Sequence, residues 1–248
     1  MTSCDALKLV DATNIRLAEP IRCPRLNNCA IHRHSFFHNL SDEDIATLCQ
    51  RSRLHRLDAR QMLCREGDSA QRFFIVISGQ LKLYRVSDQG SERILGSAGP
   101  GEVLGEVCAC APEGTYPWYA QCLENTEVRS FSGSLLRDMV GKRSDYVMNL
   151  MSYMSDAARA DVNTREILSS QNARDRLVNY ILQQLPADSA APQEMEFPLP
   201  KGLTASLLAM QPETLSRILG DLRRKGLVDV EQRRVRVHDR ETLASLAS

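Results

Sequence analysis

The 248-residue chain lacks any apolar run approaching twenty residues, which excludes a membrane-spanning helix. It also lacks net charge, since 31 Lys and Arg balance 31 Asp and Glu. No whole-molecule field therefore draws it to nucleic acid, and any such affinity has to come from a local patch. Its first twenty residues, MTSCDALKLVDATNIRLAEP, carry acids and no continuous apolar segment. A secretory leader is not expected, and the cytoplasm is the expected compartment. There the eight cysteines are expected to be thiols, and clustered ones point to metal or redox chemistry, not to structural disulfides. The length suits one large domain or two smaller ones.

The most informative stretch present is residues 204–224, TASLLAMQPETLSRILGDLRR, which reads as two short helices joined by a tight turn. Thr204 is the expected cap of the first helix, with Ala205, Leu207 and Leu208 as its packing positions. Pro212 suits the first position of the second helix, where its missing N–H is not needed. Leu215, Ile218, Leu219 and Leu222 recur at helical spacing as a buried stripe. Glu213, Ser216 and Arg217 project from the opposite face near the N-terminal end. In a helix-turn-helix, side chains at that end enter the major groove, where Arg forks onto guanine O6 and N7 and Glu accepts from cytosine N4. The alternative is an ordinary helical hairpin with a solvated polar face. Residues 227–237 favour the first: Leu227–Val230 and Arg234–Val237 alternate as two strands around Glu231-Gln232-Arg233, making a winged helix. Arg223, Arg224, Lys225, Arg233, Arg234 and Arg236, with Thr204, are the expected phosphate contacts, which carry affinity and register but little sequence information.

Upstream, residues 1–35 form an irregular segment with Cys4, Cys23, Cys29, His32 and His34. Ser41-Asp42-Glu43-Asp44 opens a short helix to about Cys49. From Leu54 to Ser132 short β runs are punctuated by turns such as Ser78-Gly79, Asp88-Gln89-Gly90 and Gly99-Pro100-Gly101, the pattern of a jelly roll. Helical character returns from about Asp145 to Ser170. There Val147, Leu150, Met154, Ala157, Asp161, Thr164 and Leu168 fall at alternating steps of three and four, a coiled-coil seam that implies a homodimer. The alternative is a helix packed on its own roll. Asp161 at a seam would face its twin and oppose dimerisation, the property of a switched dimer; the alternative is a solvated Asp161. Asn172 to Leu185 forms a further helix, and 186–193 is a loop. The expected class is α+β: a sensor roll over 36–140, a dimerisation helix over 141–171 and a winged-helix DNA-binding domain over 172–248.

This order of parts resembles the CRP/FNR superfamily of bacterial transcription regulators over residues 36–248. The resemblance rests on Glu66-Gly67-Asp68, Ser78-Gly79, Gly101-Glu102-Val103-Leu104-Gly105-Glu106, Asn172-Ala173-Arg174-Asp175-Arg176-Leu177 and Pro212-Glu213-Thr214-Leu215-Ser216-Arg217. The reading-helix pattern E-x-x-S-R looks like the FNR and DNR branches. It implies a cytoplasmic homodimer that binds TTGAT-N4-ATCAA-like double-stranded DNA through Glu213, Ser216 and Arg217 and works with RNA polymerase.

For the effector, the resemblance offers several chemistries. A cyclic nucleotide would need an Arg-Ser after Gly105-Glu106, but Tyr116-Pro117 stands there, without a fork for the phosphate; cAMP is not expected. FNR-type sensors hold an iron–sulfur cluster on cysteines. Cys23-x5-Cys29 reproduces two of them, Pro20 replaces the first, Arg129 replaces the fourth, and Cys108, Cys110 and Cys122 are nearby substitutes. An Asp aligned with Asp161 biases FNR towards monomer. DNR-type regulators, resembled at Met210-Gln211-Pro212-Glu213-Thr214, use haem, for which His32, His34, His38 and His55 are candidate ligands. Cys23, Cys29, His32 and His34 also allow a zinc site, though their spacing departs from that of a standard finger. Cys108-Ala109-Cys110 is a candidate redox pair on adjacent strand positions. An oxygen, nitric oxide or thiol-redox signal is thus expected. A cupin-like metalloenzyme is the competing class, but the histidines precede the roll and Glu102 and Glu106 have no histidine beside them, so no catalytic site is expected.

Overall fold

The computed structural model describes residues 34–37, 39–170, 172–186 and 193–247. Cys23, Cys29, His32 and His38 lie outside the described residues. Contacts divide the chain into two compact units, with the division between Asp156 and Ala157, and each unit is described by itself.

The first unit opens with a 3-10 turn at Ser35–Phe37 and helix α1, Asp42–Gln50. Ser41 Oγ accepts from the Asp44 amide at 3.2 Å, and three acids sit in the first turn, where the helix dipole favours them. Eight strands follow: β1 Arg53–Leu57, β2 Met62–Cys64, β3 Arg72–Ser78, β4 Leu81–Val86, β5 Glu92–Ala98, β6 Val103–Leu104, β7 Tyr119–Cys122 and β8 Thr126–Ser132. They form two four-stranded antiparallel sheets, in the orders β1-β8-β3-β6 and β2-β7-β4-β5. Leu57, Phe74, Val76, Leu81 and Val128 form the core on one face of the first sheet. Phe73, Ile75 and Phe131 belong to a second cluster with Phe37, Leu48, Leu136 and Tyr146, where Phe73 stacks on Phe131 with ring centroids 5.0 Å apart. The turn after β3 needs Gly79, because its φ is +85° and a Cβ there would stand 2.5 Å from Thr126 Oγ1.

Between β6 and β7 the chain makes a helix, α2, Glu106–Cys110, so Cys108 and Cys110 do not occupy adjacent strand positions as their sequence had implied. Five residues are too few to display a helical period, and it is Gly105, with φ +79°, that redirects the chain. After β8, α3 spans Gly133–Val140 and α4 spans Ser144–Ser169.

Helix α4 refines the expected seam. Leu150 turns towards the roll, packing with Tyr153 against the cluster of Phe37 and Tyr146. Val147 and Met154 are exposed, and Met148, Met151 and Val162 join them. Ala157, Asp161 and Thr164 are exposed, while Leu168 is half-buried. The apolar stripe is thus rotated from the three-four seam towards Met151. Asp161 pairs with Arg165 one turn on, at 2.8 Å.

The second unit contains α5 Ala173–Gln184, β9 Gln193–Glu196, α6 Lys201–Leu207, α7 Pro212–Arg224, β10 Val228–Glu231, β11 Arg234–Val237 and α8 Arg240–Ala244. Leu177, Ile181, Phe197, Leu215, Leu219, Val228 and Val235 are among the residues of its core. Its sheet has the order β10-β11-β9. Strand β9 was not expected from the sequence, although Gln193 and Met195 are buried and Glu194 and Glu196 exposed, the alternation of a half-buried strand. No helix among the described residues is long and apolar enough to cross a membrane.

Candidate nucleic-acid interface

Helices α6 and α7 flank a tight turn. α6 starts earlier than its sequence suggested, with Pro200 as the cap residue. Thr204 therefore lies inside the helix, 1 % exposed, and its hydroxyl donates to the Leu199 carbonyl at 3.0 Å. It is neither the cap nor presented to a phosphate. The turn places Ala209 at φ +50° and closes with Met210 N donating to Ala205 O at 2.9 Å.

One residue fixes this turn, and no local sequence pattern announces its role. Arg176, in the first turn of α5, donates Nε to Leu208 O at 2.8 Å, Nη2 to Ala209 O at 3.0 Å and Nη1 to Ser170 O at 2.7 Å. A guanidinium fork satisfies several helix-end carbonyls at once, which a lysine could not do in this geometry.

Pro212 stands at the start of α7. Leu215, Ile218, Leu219 and Leu222 are buried, at 0, 7, 3 and 1 % exposure. Glu213, Ser216 and Arg217 are exposed and lie on the far side of the helix from that stripe, as the 3.6-residue period requires. Beside them is an open groove of about 420 Å³, lined among others by Ala173 and Arg174 of α5, by Arg217, Asp221 and Arg224 of α7 and by Lys225, the residue that ends α7. Asn172 caps α5 at this groove, its Oδ1 accepting from the Arg174 amide at 3.0 Å. Four cations, one acid and a helix N-terminus make this concavity receptive to phosphate.

The cations of the groove and of the wing are not equivalent. Arg224 is bonded to Asp221, Arg233 pairs with Glu196 at 3.1 Å and Arg236 with Glu194 at 2.5 Å. Both glutamates belong to β9, the strand absent from the sequence reading. Among the described residues, Arg223, Lys225 and Arg234 carry no ion pair. The hairpin between β10 and β11 turns at Gln232, with φ +53°, and holds Arg233 and Arg234 exposed at the wing tip.

Among the described residues, the expected sensor residues are not brought together into a metal site. Cys108 and Cys110 are half-buried on α2, while Cys122 is buried on β7. Among the described residues, no group of three or more His, Cys, Asp or Glu could hold a metal ion, so the described cysteines do not by themselves fit an iron–sulfur site. Burial, followed by the charge of Glu106, pushes the Cys108 thiol up and the Cys110 thiol to about 11; burial raises Cys122 as well. These thiols are protonated near neutral pH and poor nucleophiles. His34 accepts from the Phe36 amide through Nδ1 at 3.3 Å and lies against the Tyr153 ring, and His55 Nε2 is 2.7 Å from Ser130 Oγ.

The two positions that correspond to a cyclic-nucleotide grip are engaged internally. Tyr116 is buried, donates its hydroxyl to Arg72 O at 2.5 Å, and its ring would lie 2.8 Å from a Cβ at Gly105. Glu106, 7 % exposed, accepts from the Tyr153 hydroxyl of α4 at 2.5 Å. Burial raises the Glu106 carboxyl above its ordinary value of 4.5. A raised folded-state value means that the stability contributed by this group is present below 4.5 and is lost as pH rises through the folded-state value. Glu106→Gln keeps an oxygen for Tyr153 and removes the charge. It should raise stability by about 1 kcal/mol at pH 8, a gain that vanishes below pH ~4, as read by urea unfolding. A loss of stability at pH 8 would show that the charged carboxylate is favoured.

Comparison with known proteins gives the same division. The cyclic nucleotide-binding domain family matches residues 54–143 and the Crp-like helix-turn-helix domain family residues 175–246. The chain is 28 % identical over 190 residues to the fumarate and nitrate reduction regulatory proteins of Escherichia coli (strain K12) and Salmonella typhimurium, covering 75 % of this chain and 75 % of each relative. FixK2 from Bradyrhizobium japonicum superposes with a TM-score of 0.68 at 20 % identity, over 79 % of this chain and 98 % of that one. A CooA mutant from Carboxydothermus hydrogenoformans gives 0.64 at 19 % identity, over 80 % and 88 %. These two structures show a shared fold.

Proposed function

We propose that this chain, which belongs to the CRP/FNR superfamily of transcription regulators, is an FNR/DNR-type regulator that reads a TTGAT-N4-ATCAA-like palindrome as a homodimer. The observation that carries the reading is the outward placement of Glu213, Ser216 and Arg217 on α7, opposite its buried stripe. Arg217 takes the guanine of each half-site, Glu213 a cytosine amine, and Ser216 fits closely beside them. Arg223, Lys225 and Arg234 supply phosphate contacts, while Arg224, Arg233 and Arg236 do so only by giving up a carboxylate partner. The protein works in the cytoplasm with RNA polymerase and catalyses no reaction.

The dimer forms along the exposed apolar face of α4, with Asp161 beside it as a like-charge brake. Its effector is a redox or gas signal. Cyclic AMP is disfavoured because Tyr116 fills the place of the phosphate-gripping arginine. An iron–sulfur cluster rests on Cys23 and Cys29, with haem and thiol or zinc chemistry as the competing readings.

Two experiments test this. Alanine at 213, 216 and 217 together should reduce the preference for the palindrome over scrambled duplex from about 10³-fold to within tenfold in gel shift; undiminished discrimination would overturn the reading. Protein purified without oxygen should show a broad blue-region absorbance, for a cluster, or a sharp Soret band, for haem, and should sediment as a dimer that dissociates as the band bleaches in air. A featureless spectrum with unchanged sedimentation in air rules out both prosthetic groups and the oxygen switch.

A further inference from the structure

The first unit carries a set of cations with no acid among them. Arg53 and His55 on β1, Arg72 on β3 and Ser130 on β8 share one face of the first sheet. The register pairs Arg53 with Ser130 and Ser130 with Phe74, two residues along β3 from Arg72. This is the face that bears Phe74, Val76 and Val128 of the roll core, so the cluster continues that core into a polar end.

Ser130, 0 % exposed, is its hub. Arg72 Nε donates to Ser130 Oγ at 2.9 Å and Arg72 Nη2 to the Ser130 carbonyl at 3.1 Å. His55 Nε2 stands 2.7 Å from the same hydroxyl. With Arg72 donating to Oγ, the hydroxyl proton goes either to a neutral His55 at 2.7 Å or to the Arg53 carbonyl at 3.5 Å. His55 is held below its ordinary value by burial first and then by Arg72 and Arg53; Arg72 is lowered by burial and then by Arg53. Tyr116 acts on Arg72 in the opposite sense.

Among the described residues neither Arg53 nor Arg72 has a carboxylate partner, and Arg72 Nη1 makes no hydrogen bond. On the same strand, by contrast, Arg56 is matched by Glu127 at 2.8 Å. Setting the exposed Arg53 beside the half-buried Arg72 without counter-charge is unfavourable, and an anion that accepts from both relieves it. Tyr116, donating to the Arg72 carbonyl, anchors the start of β3 and so the position of the fork.

We propose that Arg53, Arg72, His55 and Ser130 form an anion site at the end of the roll, built for a compact oxyanion: a phosphate-like ion or the carboxylate of a small acid. Arg72 is oriented by Ser130 and presents its unused edge, and Arg53 closes the site from the exposed strand. His55 gains a proton or a donor role when the anion offsets the surrounding positive charge. The site uses none of the residues assigned to DNA.

The test uses full-length protein labelled with ¹³C at histidine Cε1. It gives five resonances, one per histidine, and His55→Gln identifies the one that matters. Sodium phosphate and sodium succinate are titrated separately, with sodium chloride at matched ionic strength and pH as the reference. A saturable shift of the His55 resonance with either oxyanion, beyond the chloride response, is expected, and the stronger of the two identifies the preferred source. Arg53→Gln, at an exposed position, should weaken that binding about tenfold, as should Arg72→Gln if it folds. Responses indistinguishable from chloride, or an Arg53→Gln variant that binds like the parent, would overturn the site. No DNA is present, so this failure would leave the regulator reading untouched.

Discussion

Leu215, Ile218, Leu219 and Leu222 determine which way α7 faces, and the rest of the interface depends on that. Each fully buried aliphatic side chain is worth about 1.5–3 kcal/mol, so a rotation of α7 that exposed even two of them would cost more than most surface contacts return. With the stripe fixed, the helical period sends Glu213 and Arg217 outward whatever their own preferences. Arg176 completes the constraint from the other side by holding Leu208 and Ala209, the residues that set the angle between α6 and α7. The outward placement of these polar residues is thus a by-product of apolar packing and one guanidinium clamp.

The charges around this helix divide the work differently from what their number suggests. Cations are abundant in the second unit, but Asp221, Glu194 and Glu196 take three of them. Such exposed pairs are individually weak, about 0–1 kcal/mol, so they do not fix the wing. In the proposed function they lower the wing's attraction for arbitrary duplex and leave discrimination to the α7 face. A chain with no net charge and a locally basic groove fits a protein whose affinity must not swamp its selectivity.

The fold was legible wherever periodicity was long or turns were marked. Leu215 to Leu222 announce α7, Leu81 to Val86 alternate as β4, and Ser41 marks the start of α1. Three features were hidden for physical reasons. Helix α2 is shorter than one and a half turns, so Cys108 and Cys110 looked like strand residues. Thr204 is a common cap type, and nothing local distinguishes it from an interior hydroxyl that bonds back to Leu199. The pairing of Glu194 and Glu196 with Arg236 and Arg233 joins residues some forty positions apart, which no local pattern reveals. The sensor chemistry was least legible because ligand sets depend on convergence in space, and Cys108, Cys110 and Cys122 do not converge.

Family resemblance and geometry meet most closely at Arg217, and there the central claim can be isolated to one atom pair. Replacing the guanine of each TTGAT half-site by 7-deazaguanine removes the N7 acceptor and leaves the duplex otherwise paired. Binding of the parent protein should weaken about tenfold per half-site, while Arg217→Ala, already weakened, should lose nothing further on the modified duplex. Equal penalties for parent and variant would mean that Arg217 does not touch that base, and the account of how this helix reads DNA would be wrong.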